Sequence, residues 1–202
     1  MRAVSRSVSV MMGPFRCAAC LWPSTPTSPT DVRVMQAQQV PEDFPRPVRR
    51  PRQDLLLPHP QQGAVDDPFD AEFTHRVPKP LDEQAMQRAA AGFVGTHDFL
   101  ALCASGSSVA AHGDTVRTIT RCDVTRDGEV FTITVTADGY LYNMVRILRG
   151  ALLQAGLGKL DPAQVPAILQ SRDRRRAGPT LPANGLCLAD VQYPGLVPET
   201  DD

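Results

Sequence analysis

The stretch TVRTITRCDVTRDGEVFTITVTADGYLYNMVRILRGALLQAG, residues 115–156, decides the fold. Residues 129–137 alternate: Phe131, Ile133, Val135 and Ala137 fall on one side of an extended chain, and Thr132, Thr134 and Thr136 on the other. Residues 116–124 alternate as well. Asp127-Gly128 between the two runs is a strong turn dipeptide, so the pair reads as an antiparallel hairpin. From Leu141 the period becomes helical. Leu141, Met144, Val145, Leu148 and Leu152 form one stripe, and Gly156 or Gly158 is the terminator.

Upstream of this stretch, Leu81, Ala85, Ala89 and Phe93 recur at near-helical spacing, with Asp82 near the start and Gly95 just beyond the end. His97-Asp98 reads as a turn after that helix, or as an orienting pair. Ala104–Ser108 is a small, polar loop. Downstream, Asp161-Pro162 opens a second helix with a capping residue and a proline at its first position. Gln164 closes a capping box, and Val165, Ile168 and Leu169 supply the buried stripe. Leu186, Leu188 and Val191 suggest a short closing strand. The sum is an α+β domain over residues 65–194, an antiparallel sheet with helices packed on one face, followed by a tail at 195–202.

The first 64 residues read differently. Thirteen of the 19 prolines fall within residues 1–80, and tracts such as PSTPTSPT and PEDFPRPVRRPRQ suit neither helix interiors nor central strands. Residues 1–64 are expected to be poorly ordered, with Asp31–Ala37 the one strand-like piece.

Composition bounds the function. No apolar run approaches the roughly 18 residues needed to span a bilayer, which excludes a transmembrane helix. Twenty-one basic against 22 acidic side chains exclude a uniformly basic nucleic-acid coat, so any contact with a polyanion must come from a local patch. Five cysteines, mostly far apart, argue against a disulfide framework and for a reducing cytoplasm. Cys17 and Cys20 have metal-ligand spacing but no second pair, and His59, His75, His97 and His112 show no ligand spacing. Neither metal nor cofactor is expected.

The arginines are the candidates. Arg146 and Arg149 stand three apart, off the apolar stripe and on one flank of their helix. Spacing alone favours a solvated helix face over a functional one. Arg172, Arg174, Arg175 and Arg176 crowd the end of the next helix, where they complement the dipole and could grip phosphates. GPTLPANGL (178–186) is a rigid loop, either a connector or a pocket wall.

Several pieces, in order and at fitting spacing, resemble one family: VDDPF (65–69), GTHDF (95–99), TVRTI (115–119), GYLYNMVRILRGALLQAG (139–156) and AGPTLPANGLCL (177–188). Over residues 65–193 the chain is similar to the C-terminal half of the bacterial tRNA pseudouridine synthase A family. The resemblance implies an isomerase that flips a uridine of the tRNA anticodon stem-loop, breaks its N-glycosidic bond, rotates the base and rejoins it through carbon. An aspartate serves as nucleophile or base, without metal or cofactor. Arg146 stands where the family's arginine pairs with that aspartate, and Leu186 where an aliphatic residue packs on the target base. An opposite charge within hydrogen-bond reach holds a carboxylate ionised, so the pairing is chemically sensible. Arg149, Arg172, Arg174, Arg175 and Arg176 are expected to bind RNA. For the intact family the resemblance implies a homodimer.

The family's arginine-any-aspartate-any-glycine-valine-histidine motif, which carries the nucleophile, does not occur here. Nor does its tyrosine-bearing K/R-T-Y-x-Y-R stretch. Residues 31–44 nevertheless resemble the family. Dropping one base from a reverse translation of PRPVRRPRQDLLLPHPQQ permits H-A-R-F-D-A-R-G-K-T-Y-F-Y-R-I-H-N, and dropping two from LWPSTPTSP permits A-L-N-A-H-L-P, both family-like. The N-terminal region thus reads as frame-scrambled, with slips near residues 29, 45 and 62. As written, the chain is expected to be either an inactive synthase lineage or a non-catalytic RNA-binding or dimerisation remnant.

Overall fold

A computed structural model describes residues 52–60, 74–104, 114–128 and 130–192. The elements are β1 (Arg52–Pro60), α1 (Glu83–Ala91), β2 (Gly95–Asp98), β3 (Val116–Asp127), β4 (Val130–Ala137), α2 (Met144–Gly156), α3 (Val165–Ser171) and β5 (Cys187–Gln192). The five strands form one sheet in the order β2-β3-β4-β1-β5, and every neighbouring pair is antiparallel.

The predicted hairpin is β3–β4. Val124 opposes Ile133 and Cys122 opposes Val135, and a bulge between Ile119 and Arg121 then brings Ile119 opposite Ala137. All six are buried. The bulge inserts one residue, so Ile119 returns to the inner face three positions from Cys122 rather than two. Plain alternation over 116–124 did not anticipate it. The inner face packs with α1 and α2 into one core that includes the fully buried Phe93, Phe99 and Phe131. Side chains of this size stabilise by about 2–3 kcal/mol each when buried. On the opposite face Thr132 and Thr134 are half-buried, so the helices cover one side of the sheet.

Helix α1 starts as its sequence predicts, with Asp82 Oδ1 accepting from the amide of Ala85 at 3.0 Å. Helix α2 is buried nearly all round instead of along one stripe. One side meets α1 so closely that a Cβ on Gly156 would lie 2.8 Å from the Met86 side chain. Another is covered by the loop after α3. The segment at Asp161 opens with a 3-10 turn, Pro162–Gln164, before α3 begins; Asp161 caps it through the amide of Ala163 at 3.0 Å.

Two strands were not expected. His97 and Asp98 lie in edge strand β2 rather than in a turn. Asp98 turns its carboxylate to the Leu100 amide, to Thr115 Oγ1 at 2.6 Å and to Arg172, not to His97. Strand β1, inside the tract expected to be poorly ordered, lies between β4 and β5. β5 accompanies β1 only from Arg52 to Leu56, so Pro58 and Pro60 fall where β1 has β4 alone for a neighbour. A strand tolerates missing amide donors best where one edge is open. Cys17, Cys20, His112 and residues 31–44 lie outside the described residues.

Candidate functional site

The site is built where the 178–186 loop lies on α2. This loop carries prolines at 179 and 182, which have no amide hydrogen, and it packs on a helix whose own backbone donors are already used. Its inward carbonyls therefore need side-chain donors. Three arginines supply them.

Arg146 donates from Nε to the carbonyl of Leu181 at 2.6 Å and from Nη1 to Asn143 Oδ1 at 3.1 Å. Its own carbonyl accepts the amide of Leu181 at 3.3 Å, so residue 181 is held from both sides. Arg149, one turn on, donates from Nη2 to Pro182 O at 2.9 Å and from Nη1 to Asn184 O at 3.1 Å. Arg174 donates to Gly178 O at 2.6 Å and to Thr180 Oγ1 at 2.7 Å. Gly150 permits the close approach, since a Cβ there would sit 2.0 Å from Pro179 O.

The two arginines of α2 share a flank as the sequence predicts, but their environments diverge. Arg146 is half-exposed, and among the described residues no carboxylate meets it. With Nε and one Nη1 hydrogen used, three of its five N–H donors remain, all at the outer end of the guanidinium. That end is the fork that a carboxylate engages with two parallel bonds. Arg149 is fully buried, and its Nε has no partner. Burial, reinforced by the charge of Arg146, pulls its pKa down to about 10, which still leaves it charged at neutral pH. A guanidinium enclosed in this way presents no exposed face to a phosphate, in contrast to the solvent-facing arginines expected to bind RNA. His75 is half-buried nearby. Burial and the Arg149 charge hold its pKa below the usual value, which favours the neutral ring.

Asn143 positions Arg146 from below. It precedes α2 in the left-handed conformation at φ 58°, and its side chain bonds Arg146 rather than capping the helix. Asparagine is among the few non-glycine residues that adopt this φ readily. Leu186 is half-buried at the entry to β5, and its amide bonds Ala183 O at 2.9 Å. The same loop that binds Arg146 and Arg149 therefore delivers Leu186.

The downstream arginines are engaged in different ways. Arg172, at the end of α3, pairs with Asp98 at 2.9 Å. Arg175 is exposed and pairs with Asp173 at 2.9 Å, which holds that carboxyl below its usual pKa. Arg174 belongs to the loop clamp. Arg176 is exposed, and its guanidinium has no hydrogen bond or ion pair among the described residues. Sequence reasoning missed Asn143, Gly150 and His75. Only the proline pair at 179 and 182 hinted that a loop would need outside donors.

Comparison with known proteins gives a consistent set of similarities. The family described as tRNA pseudouridine synthase matches residues 89–194. A tRNA pseudouridine synthase A of Acetivibrio thermocellus is 47% identical over 120 residues, covering 59% of this chain and 48% of that protein. Those of Moorella thermoacetica and Pelobacter propionicus are 39% and 37% identical over 174 and 165 residues, covering 85% and 82% of this chain and 69% and 66% of theirs. The chain thus spans between about half and two thirds of the length of these relatives. No helix among the described residues is long and apolar enough to cross a membrane.

Proposed function

Because the chain belongs to the tRNA pseudouridine synthase family, we propose that it carries the supporting wall of a site that isomerises uridine in the tRNA anticodon stem-loop. Arg146 carries this reading. It is braced by Asn143 and Leu181, half-exposed, and keeps the outer fork of its guanidinium for a carboxylate. In the proposed reaction that carboxylate is the family's aspartate, held ionised beside the flipped uridine, whose N-glycosidic bond breaks before the base turns and rejoins through carbon. Leu186 packs against the base. Flipping costs a few kcal/mol, least in a loop that is already single-stranded. Arg176, and Arg172 and Arg175 once released from Asp98 and Asp173, contact phosphates. No step requires a metal or cofactor, and the compartment is the cytoplasm.

The sequence carries no arginine-any-aspartate motif in the family's context, which favours a second reading for the chain as written: an RNA-binding or dimerisation remnant without catalysis. The purified chain is expected to bind an anticodon stem-loop weakly and to form no pseudouridine. Supplying the family's in-frame N-terminal half, with its aspartate and tyrosine, is expected to give activity. Pseudouridine formed by the chain alone would overturn the remnant reading, and no binding at low salt would overturn both. Sedimentation of the same samples tests the proposed homodimer.

A further inference from the structure

Arg149 is the largest fully buried side chain of the described residues, yet no carboxylate neutralises it. Among the described residues its guanidinium bonds two neutral carbonyls, and its Nε has no partner. A buried cation left in this state carries a desolvation cost that no countercharge offsets. What the guanidinium supplies is geometry. Its planar fork fixes Pro182 O and Asn184 O, the carbonyls on either side of Ala183, at one spacing and in one plane. Ala183 O in turn accepts the amide of Leu186, and Leu181, next to Pro182, is doubly bonded to Arg146.

We propose that Arg149 is a positioning residue: its buried fork holds the 182–184 turn and so fixes Arg146 and Leu186 relative to each other. The proposal rests on the reading above only in naming Arg146 and Leu186 as the working groups. Lysine reproduces the charge but not the two-pronged geometry, and methionine reproduces much of the volume with neither.

The experiment uses the whole 202-residue chain, labelled with nitrogen-15, and compares it with R149M and R149K. The readout is solvent exchange of the Arg146 Nε–H, which reports the bond to Leu181 O and is not moved by a loss of bulk alone. In R149M Arg146 Nε–H exchange is expected to accelerate at least about tenfold while the backbone amides of the β3–β4 hairpin keep theirs, which separates a loosened turn from global unfolding. R149K is expected to exchange as fast as R149M, because charge without the fork does not hold the turn. Unchanged Arg146 exchange in folded R149M overturns the proposal, as does full rescue by lysine. Should both variants fail to fold, rotation about the Arg149 guanidinium bonds in the unsubstituted chain decides. Hindered rotation supports the clamp, and free rotation overturns it. Binding of an anticodon stem-loop RNA, measured alongside, tests the proposed function separately. A chain that binds no RNA but shows the R149M effect loses that function and keeps the clamp.

Discussion

Helix α2 and the turn after α3 both carry arginines, and apart from Arg174 they use them in opposite ways. On α2, Arg146 and Arg149 are drawn against the molecule because a proline-bearing loop lies over them with carbonyls in want of donors. After α3, Arg172 and Arg175 stay at the surface in ion pairs, and Arg176 stands without one. Exposed pairs of this kind are weakly held in water, so these side chains are readily released to another anion. The difference lies in what covers each arginine, which spacing does not report.

The largest effect expected from breaking this contrast is on catalysis. In enzyme completed with the family's N-terminal half, Arg146→Ala is expected to lower kcat/KM by on the order of a hundred- to thousandfold, as for other preorganised charge-stabilising donors. Arg176→Ala is expected to change it only a few-fold, chiefly through KM. Comparable losses at both positions would erase the distinction.

Next comes the loop contact itself. Gly150→Ala places a Cβ against Pro179 O and is expected to destabilise by about 3 kcal/mol, toward the upper end of overpacking costs. Gly128, whose Cβ would meet nothing within 4 Å, serves as the control. Its φ of 58° limits the alanine penalty there to about 1–2 kcal/mol. Urea midpoints of the two variants measure the gap.

A smaller effect sharpens the other half of the comparison. Each lost phosphate contact lowers the salt slope of RNA binding by about one unit. Replacing Arg174, Arg175 and Arg176 together is expected to lower it by about two units rather than three, because Arg174 is committed to Gly178 and Thr180. Measuring the affinity at four salt concentrations is sufficient to tell two from three.

The smallest effect is a pH dependence. His75 has a folded pKa below 6.5, so the unfolded chain binds the proton more readily. Its contribution is therefore in place above about pH 6.5 and is lost as pH falls through the folded value. Removing the neighbouring charge with R149M is expected to flatten this slope in urea midpoints between acid and neutral pH. An unchanged slope would detach His75 from the loop clamp.

How much of this was legible in the sequence follows from the range of the forces involved. The hairpin, the Asp82 cap and the α2 helix are written in local periods, and they stand where the sequence places them. Strand β1 was not legible, because Leu55-Leu56-Leu57 has no alternation and prolines follow at once. Its identity as a strand depends on partners at 130–137 and 187–192. Arg146 was legible as a position through the resemblance. The burial of Arg149 was not, because it depends on a loop more than 30 residues away.

The sheet order also sets a timetable. β1 is the fourth strand of the sheet in space but the first to be made, and its β5 partners lie more than 130 residues further along the chain. At roughly 5–20 residues per second, a ribosome takes on the order of ten seconds to supply them. Throughout that interval one edge of β1 has no β5 beside it, and an unpaired edge is a template for other chains. The prolines at 58 and 60 withhold amide donors from the strand beyond the stretch that β5 comes to cover, so the residues that made this strand hard to recognise also make it a poorer template for another chain.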